Sequence, residues 1–221
     1  MTVLRTLGKL LISLGVGVLL FVAWTLWGTG LATSRAQEAL EAEFNAADPI
    51  RVSIRPGNDQ PTDPVDVPDS FRPGPGDPVF RMRIPEIDFR QMVVEGVTTD
   101  DLKKGPGHYP DCRDGFDKPL CTDAKEVWPG ERGRVILSGH RTTYGAPFWD
   151  IDRLREGDEI HLETRWGDFT YQVTGAEVVP PNAKDIANPD SNGPELVLTT
   201  CNPRFSATER LVVFAEMEGA S

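Results

Sequence analysis

Near its C-terminus the chain carries Leu196-Val-Leu-Thr-Thr-Cys201-Asn-Pro-Arg-Phe-Ser-Ala-Thr-Glu-Arg210-Leu-Val-Val-Phe-Ala215. This stretch reads as an apolar, β-branched strand, a polar connection and a second apolar strand. Cys201 falls where the first strand ends and Arg210 where the second begins. Paired strands would put both side chains at one end of a sheet. A thiolate is a nucleophile that a nearby cation favours. The same cation can hold the negative oxygen formed when a thiolate attacks a carbonyl. The same residue types also fit a buried, inert cysteine beside a surface arginine.

A cysteine nucleophile commonly works with a histidine distant in sequence. The chain has three histidines. His140 ends an apolar strand, Arg134 to Ser138, and a strand end is well placed to meet another strand end. His108 lies in Gly105-Pro106-Gly107-His108-Tyr109-Pro110, where Gly and Pro read as turn chemistry. His161 alternates with Ile160 and Leu162, so it is expected to face solvent. The spacing favours His140 over His108 as the base.

Three cysteines in an exported chain imply one pair and one free thiol. Cys112 and Cys121 bracket a polar loop and are expected to form a disulfide, leaving Cys201 free; the alternative is three independent thiols. No Cys/His group has zinc spacing, so no metal is expected. The net charge of −11 argues against nucleic acid as a partner.

Residues 1–30 read as a cytoplasmic tip and a membrane anchor. Leu10 to Trp27 is an 18-residue run without a charge. As a helix it would be about 27 Å long, against a hydrocarbon core of roughly 30 Å. Arg5 and Lys9 precede it, which puts the N-terminus in the cytoplasm and the remainder outside. A cleaved signal peptide is the rival reading. Residues 31–78 read as a juxtamembrane helix, Ala36 to Ala46, followed by a stalk rich in Pro and Asp. Such a composition is expected to form an extended spacer that gives reach.

Residues 79–221 read as the globular domain. Phe80, Met82 and Ile84 alternate with Arg81 and Arg83 as a half-buried strand. Gln91 to Val97 is expected as a second strand. Thr98 to Gly105 carries cap signals for a short helix, and Phe148 to Leu154 is a second short helix candidate. Ile160 to Thr164 and Phe169 to Val173 flank a turn as a hairpin. Pro180 to Pro194 is a polar loop. Many short strands with little helix indicate an all-β barrel or sandwich.

Three blocks in this order resemble a known family. Leu198-Thr199-Thr200-Cys201 with Arg210 nine residues later is similar to the sortase signature. Ser138-Gly139-His140-Arg141-Thr142-Thr143-Tyr144-Gly145-Ala146-Pro147-Phe148 resembles the segment around the sortase histidine. Val94-Glu95-Gly96-Val97 with Leu102 to Pro110 resembles the class E branch of actinobacteria. The resemblance covers roughly residues 79–217. The segment Asp111 to Glu126 is longer than expected of that branch, and Asn202 stands where many members have His.

What the resemblance implies is a closed β-barrel of about eight strands and a cysteine transpeptidase without a cofactor. It would cut a Leu-Pro-x-Thr-Gly or Leu-Ala-x-Thr-Gly sorting signal after Thr. The acceptor would be an amine of a peptidoglycan precursor. Cys201, His140 and Arg210 would be catalytic, with Tyr109, Thr200 and Tyr144 as substrate contacts. The implied partners are surface proteins with a C-terminal sorting signal and, through residues 10–27, the lipid bilayer. A pilin-polymerising class C-like enzyme, a hydrolytic cysteine peptidase and a catalytically inactive binding module are the alternatives.

Overall fold

The computed structural model describes residues 2–54, 64–110, 126–183 and 193–220. Helix α1 (Thr2–Ala23) runs through a π-helical turn (Trp24–Gly28) into helix α2 (Thr29–Ala46). Leu4–Ala23 is apolar and long enough to cross a membrane, and it is not covered by the rest of the protein. The juxtamembrane helix expected from Ala36 is thus the second half of α2.

The stretch expected as a spacer does not stand free over its described residues. Two short strands, β1 (Ser53–Ile54) and β2 (Val65–Asp66), pair antiparallel. Val65 donates its N–H to Gly130 O at 2.9 Å and Ile50 to Arg165 O at 2.8 Å. Phe71 sits edge-on to Trp128 and Trp166, at 4.8 and 5.3 Å between ring centres. Composition announces the lack of a core within this stretch, but Ile50, Val52, Val65, Val67 and Phe71 join the core of the barrel instead.

The barrel follows. Its strands are β3 (Pro78–Ile84), β4 (Phe89–Glu95), β5 (Gly107–His108), β6 (Gly133–Ser138), β7 (Glu159–Glu163), β8 (Asp168–Val179), β9 (Pro194–Asn202) and β10 (Glu209–Ala220). They close in the order β10-β8-β7-β3-β4-β5-β6-β9, and β9 pairs with β10. The second expected strand lies two residues earlier than the periodicity placed it. Helix α3 (Thr99–Leu102) has the capping box its sequence advertised, with Thr98 and Asp101 bonding reciprocally. The helix expected over Phe148 to Leu154 is one 3₁₀ turn, Ile151–Arg153.

Two neighbouring pairs are parallel, β4 with β5 and β6 with β9. Inward residues of β6, β9 and β10, including Val135, Leu137, Leu196, Leu198, Leu211 and Val213, fill the interior. The residues between them point outward. Ile136, Val197 and Val212 form a separate cluster there, with Tyr109, Val179 and Phe214 packed on it. One sheet face is therefore apolar on both sides at this place. That is unusual for a solvated antiparallel sheet.

His108 differs from its expected loop setting. It is in β5, 1% exposed, with Nδ1 2.9 Å from Glu95 Oε2 and Nε2 3.0 Å from Val127 O. Its ring stacks on Trp128 at 4.5 Å. Burial lowers its pKa, opposed by Glu126, the Val127 carbonyl and Glu131. Glu95, His108 and Glu126 bring ligand atoms within 4.8 Å of one another, a grouping that spacing along the chain does not reveal. His161 is half-buried, against Glu159 at 3.2 Å and Thr170 at 3.2 Å.

Candidate active site

The parallel register of β6 and β9 brings the first two groups together. Ser138 pairs with Thr199, and Gly139 donates its N–H to Thr199 O at 3.1 Å. Two residues past this pair come His140, just beyond the end of β6, and Cys201, still within β9. Thr200 Oγ1 closes the step between them by donating to Gly139 O at 2.7 Å. Thr200 is buried, and its hydroxyl is used inside the protein rather than presented to a substrate.

The antiparallel register of β9 and β10 adds the third. Arg210 lies directly opposite Cys201. Adjacent strands are about 4.8 Å apart, so Cys201 occupies the middle of three neighbouring strand ends. Cys201, His140 and Arg210 all continue the alternation of Val197, Ile136 and Val212. The three therefore stand at the head of the outward apolar cluster, on the face opposite the filled interior.

Each group is held locally. Gly139 is required because a Cβ there would lie 2.7 Å from the Phe148 ring. Phe148 in turn donates its N–H to His140 O at 3.1 Å. His140 Nε2 is enclosed and has no hydrogen-bond partner among the described residues. Burial pulls the His140 pKa below its ordinary value. Tyr144 packs on it, ring centres 4.9 Å apart. Cys201 is a free, half-buried thiol. Arg210 donates Nη1 to Ala207 O at 3.1 Å and to Glu209 O at 2.9 Å. Tyr109 lies on the apolar cluster. Burial raises its pKa, opposed by a hydrogen bond with Ser138 and by the Arg210 charge.

Sequence reasoning missed the support behind the thiol. Arg141 is 3% exposed and donates Nη1 to Cys201 O at 3.5 Å and Nε to Trp149 O at 3.2 Å. Its Nη2 pairs with Asp152 at 3.0 Å. Arg204, in the polar connection after Cys201, is half-exposed. It donates to Trp149 O and Asp152 Oδ1, each at 2.9 Å, and covers the Trp149 ring at 4.7 Å. Arg141 thus braces the Cys201 backbone, and Arg204 shares its Trp149 and Asp152 partners. The only signal in the sequence was the position of Arg141 directly after His140. Cys112 and Cys121, expected as a disulfide, lie outside the described residues. Neither of two sizeable cavities, of about 320 and 460 Å³, includes any of the three groups in its lining.

A thiol, an imidazole and a guanidinium on three adjacent strand ends of a closed barrel fit acyl transfer. The family model described as the Sortase domain matches residues 82–218. The chain belongs to the sortase family. It is 32% identical over 188 residues to Sortase D of Bacillus subtilis, spanning 83% of this chain and 84% of that protein. It is 31% identical over 223 residues to Sortase SrtE1 of Streptomyces coelicolor, spanning 96% of this chain and 56% of that longer protein. The crystal structure of Sortase E1 from Streptomyces coelicolor, with a tripeptide in its active site, superposes with a TM-score of 0.58 at 27% identity. That match covers 67% of this chain and 93% of the other. Sortases are cysteine transpeptidases, and this sortase is E-like in its relatives.

Proposed function

We propose that this sortase cuts a Leu-Ala-x-Thr-Gly or Leu-Pro-x-Thr-Gly sorting signal after Thr and passes the protein to an amine of a peptidoglycan precursor. Cys201 is the nucleophile, His140 the proton carrier and Arg210 the holder of carbonyl oxygen. The observation that carries this reading is Cys201 directly opposite Arg210, with His140 following the end of the strand that pairs with β9 on its other side. The partly exposed Tyr109, Val179 and Phe214 that cover the apolar cluster offer a floor for the uncharged side chains of such a signal.

The Cys201 thiolate attacks the Thr carbonyl, forming a C–S bond. The developing oxyanion meets donors of Arg210. Protonated His140 gives its proton to the glycine nitrogen as the C–N bond breaks. A thioacyl enzyme remains, and His140 is now neutral. The acceptor amine attacks, gives a proton to His140, and the thiolate leaves. An enclosed His140 with no competing partner keeps its lone pair for these transfers.

Helix α1 anchors the enzyme in the membrane, with Arg5 and Lys9 on the cytoplasmic side and the barrel outside. The test uses the full chain in detergent with both peptides and a diaminopimelate-type amine, followed by mass spectrometry. A transfer product is expected. Free acid without gain from the amine would make the enzyme a hydrolase, and transfer to a pilin lysine alone would make it a polymerase.

A further inference from the structure

The loop after His140 is conformationally costly. Tyr144, Gly145 and Ala146 are consecutive left-handed residues, at φ 53°, 73° and 45°. Two of them carry a Cβ, which disfavours this region, and such a run persists only where its surroundings over-determine it. The loop matters because the Tyr144 ring lies on His140.

Much of that surrounding structure is helix α2. Thr29 Oγ1 accepts the Tyr144 N–H at 3.2 Å while donating to Thr25 O at 3.0 Å. Thr33 is 3% exposed and donates to Lys103 O at 2.8 Å. The crossing is close because its residues are small. A Cβ on Gly30 would lie 3.8 Å from the Gly145 Cα, and one on Gly145 would lie 3.5 Å from the Thr33 methyl.

The helix is itself held along its length. Gln37 donates to Met92 O and Lys104 O at 3.0 and 2.8 Å and accepts the Met92 N–H at 2.7 Å. It thereby serves a part of β4 that β5 does not reach, since that strand pairs with Val94 and Glu95. Leu40 and Phe44 pack on Met92 and Val94. Glu41 pairs with Arg81 and Arg90 at 3.0 and 3.1 Å.

We propose that α2 is a wall of the active site, with Thr29 as the positioning residue that holds the Tyr144 loop against His140 and Thr33 as the residue that fixes the helix beneath it to Lys103. Transfer then depends on a segment that otherwise looks like a mere tether. The inference rests on the role assigned to His140 above, so its test includes a readout that needs no turnover.

The test uses the full chain in lipid nanodiscs. Thr29→Val with Thr33→Val removes the hydroxyls and keeps the shape. Thr29→Ser with Thr33→Ser restores them. Ser34→Val is the control, because Ser34 makes the same kind of bond, to Gly30 O at 3.0 Å, on the exposed side. In the valine pair, hydrogen exchange at the Tyr144 amide should accelerate by about fivefold or more. The kcat for a sorting peptide should fall by about tenfold to a hundredfold, KM moving little, as expected when a catalytic group is misplaced. The serine pair and Ser34→Val should behave as wild type. Unchanged exchange in the valine pair, undiminished kcat despite faster exchange, or an equal loss in Ser34→Val would overturn the proposal. Thr29→Ala alone repeats the measurement if the valine pair does not fold. A wild-type enzyme inert toward sorting peptides, with the exchange pattern intact, would remove the substrate reading and leave the wall standing.

Discussion

The role given to Arg210 makes a demand that lysine cannot meet. One terminal nitrogen, Nη1, is occupied by the carbonyls of Ala207 and Glu209. Nη2 and Nε make no hydrogen bond among the described residues, and Cys201 is directly across the ladder. The guanidinium can therefore grip the connection after β9 with one nitrogen and offer an oxyanion the others. A lysine ammonium has a single nitrogen on a flexible stem, so it must either hold the loop or meet the oxygen. Losing one oxyanion donor costs about 10²–10³-fold in rate, or about 2.7–4 kcal/mol. Arg210→Lys should fall in that range for cleavage of a sorting peptide by the full chain, followed by chromatography of the released fragment. Arg204→Lys is the comparison. Its guanidinium serves Trp149 and Asp152 and is not aimed across from the thiol. It should lose a few-fold at most, as expected of a half-exposed ion pair worth about 0–1 kcal/mol. Circular dichroism checks that both variants fold. Arg210→Lys within threefold of wild type, or equal losses in the two variants, would refute the reasoning.

Other expectations follow from the same geometry. Cys201→Ala should abolish turnover and the thioacyl adduct seen by intact mass, with the melting temperature nearly unchanged. His140→Ala should lower the rate by about 10²–10⁴-fold with little effect on melting. His108→Ala should do the reverse, because it takes a buried partner from Glu95 and the Val127 carbonyl, at about 1–3 kcal/mol; a larger rate loss in His108→Ala would move the base. The acid limb of kcat/KM should have its midpoint below about 6.5, the ordinary histidine value, because burial holds the His140 pKa down. The same shift means that acid favours the unfolded chain: this contribution to stability is intact above the unfolded pKa and is lost as pH falls from there through the lowered folded value. A limb at or above the ordinary value would show a solvated His140.

The parts legible in the sequence were those whose signal is local. Alternation along β3 and β7 is the pleat itself, so these strands could be placed within a residue or two, while β8 starts within a residue of its expected place and runs six residues beyond Val173. The capping box at Thr98 is complete within four residues. Cys201, His140 and Arg210 stood out because each terminates or begins an apolar strand, and strand ends converge when strands pair. The parts that were illegible depend on partners far along the chain. Thr29 and Tyr144 are 115 residues apart, and neither residue type hints at the other. Arg141 and Arg204 have the composition of a solvated surface. Only the fold shows Arg141 buried against Trp149 and Asp152, with the half-exposed Arg204 reaching the same two residues. His108 sits among Gly and Pro that suggest a turn, yet two residues suffice for a buried strand between longer neighbours.

The largest difference concerns distance. A Pro-rich stretch was expected to hold the enzyme away from the bilayer, and that expectation treated the segment before the domain as empty of contacts. In the structure the apolar window of α1 ends at Ala23, and Thr29, six residues later, already touches the loop behind His140. Six helical residues rise about 9 Å. Over its described residues the Pro-rich chain lies on the barrel, with Phe71 edge-on to Trp128 and Trp166. The order of elements along the chain is thus a poor guide to their order in space. The helix that enters the domain first is the one that stands beside its chemistry. An enzyme built this way has the Tyr144 loop, and through it His140, within a few residues of the point where its apolar helix stops.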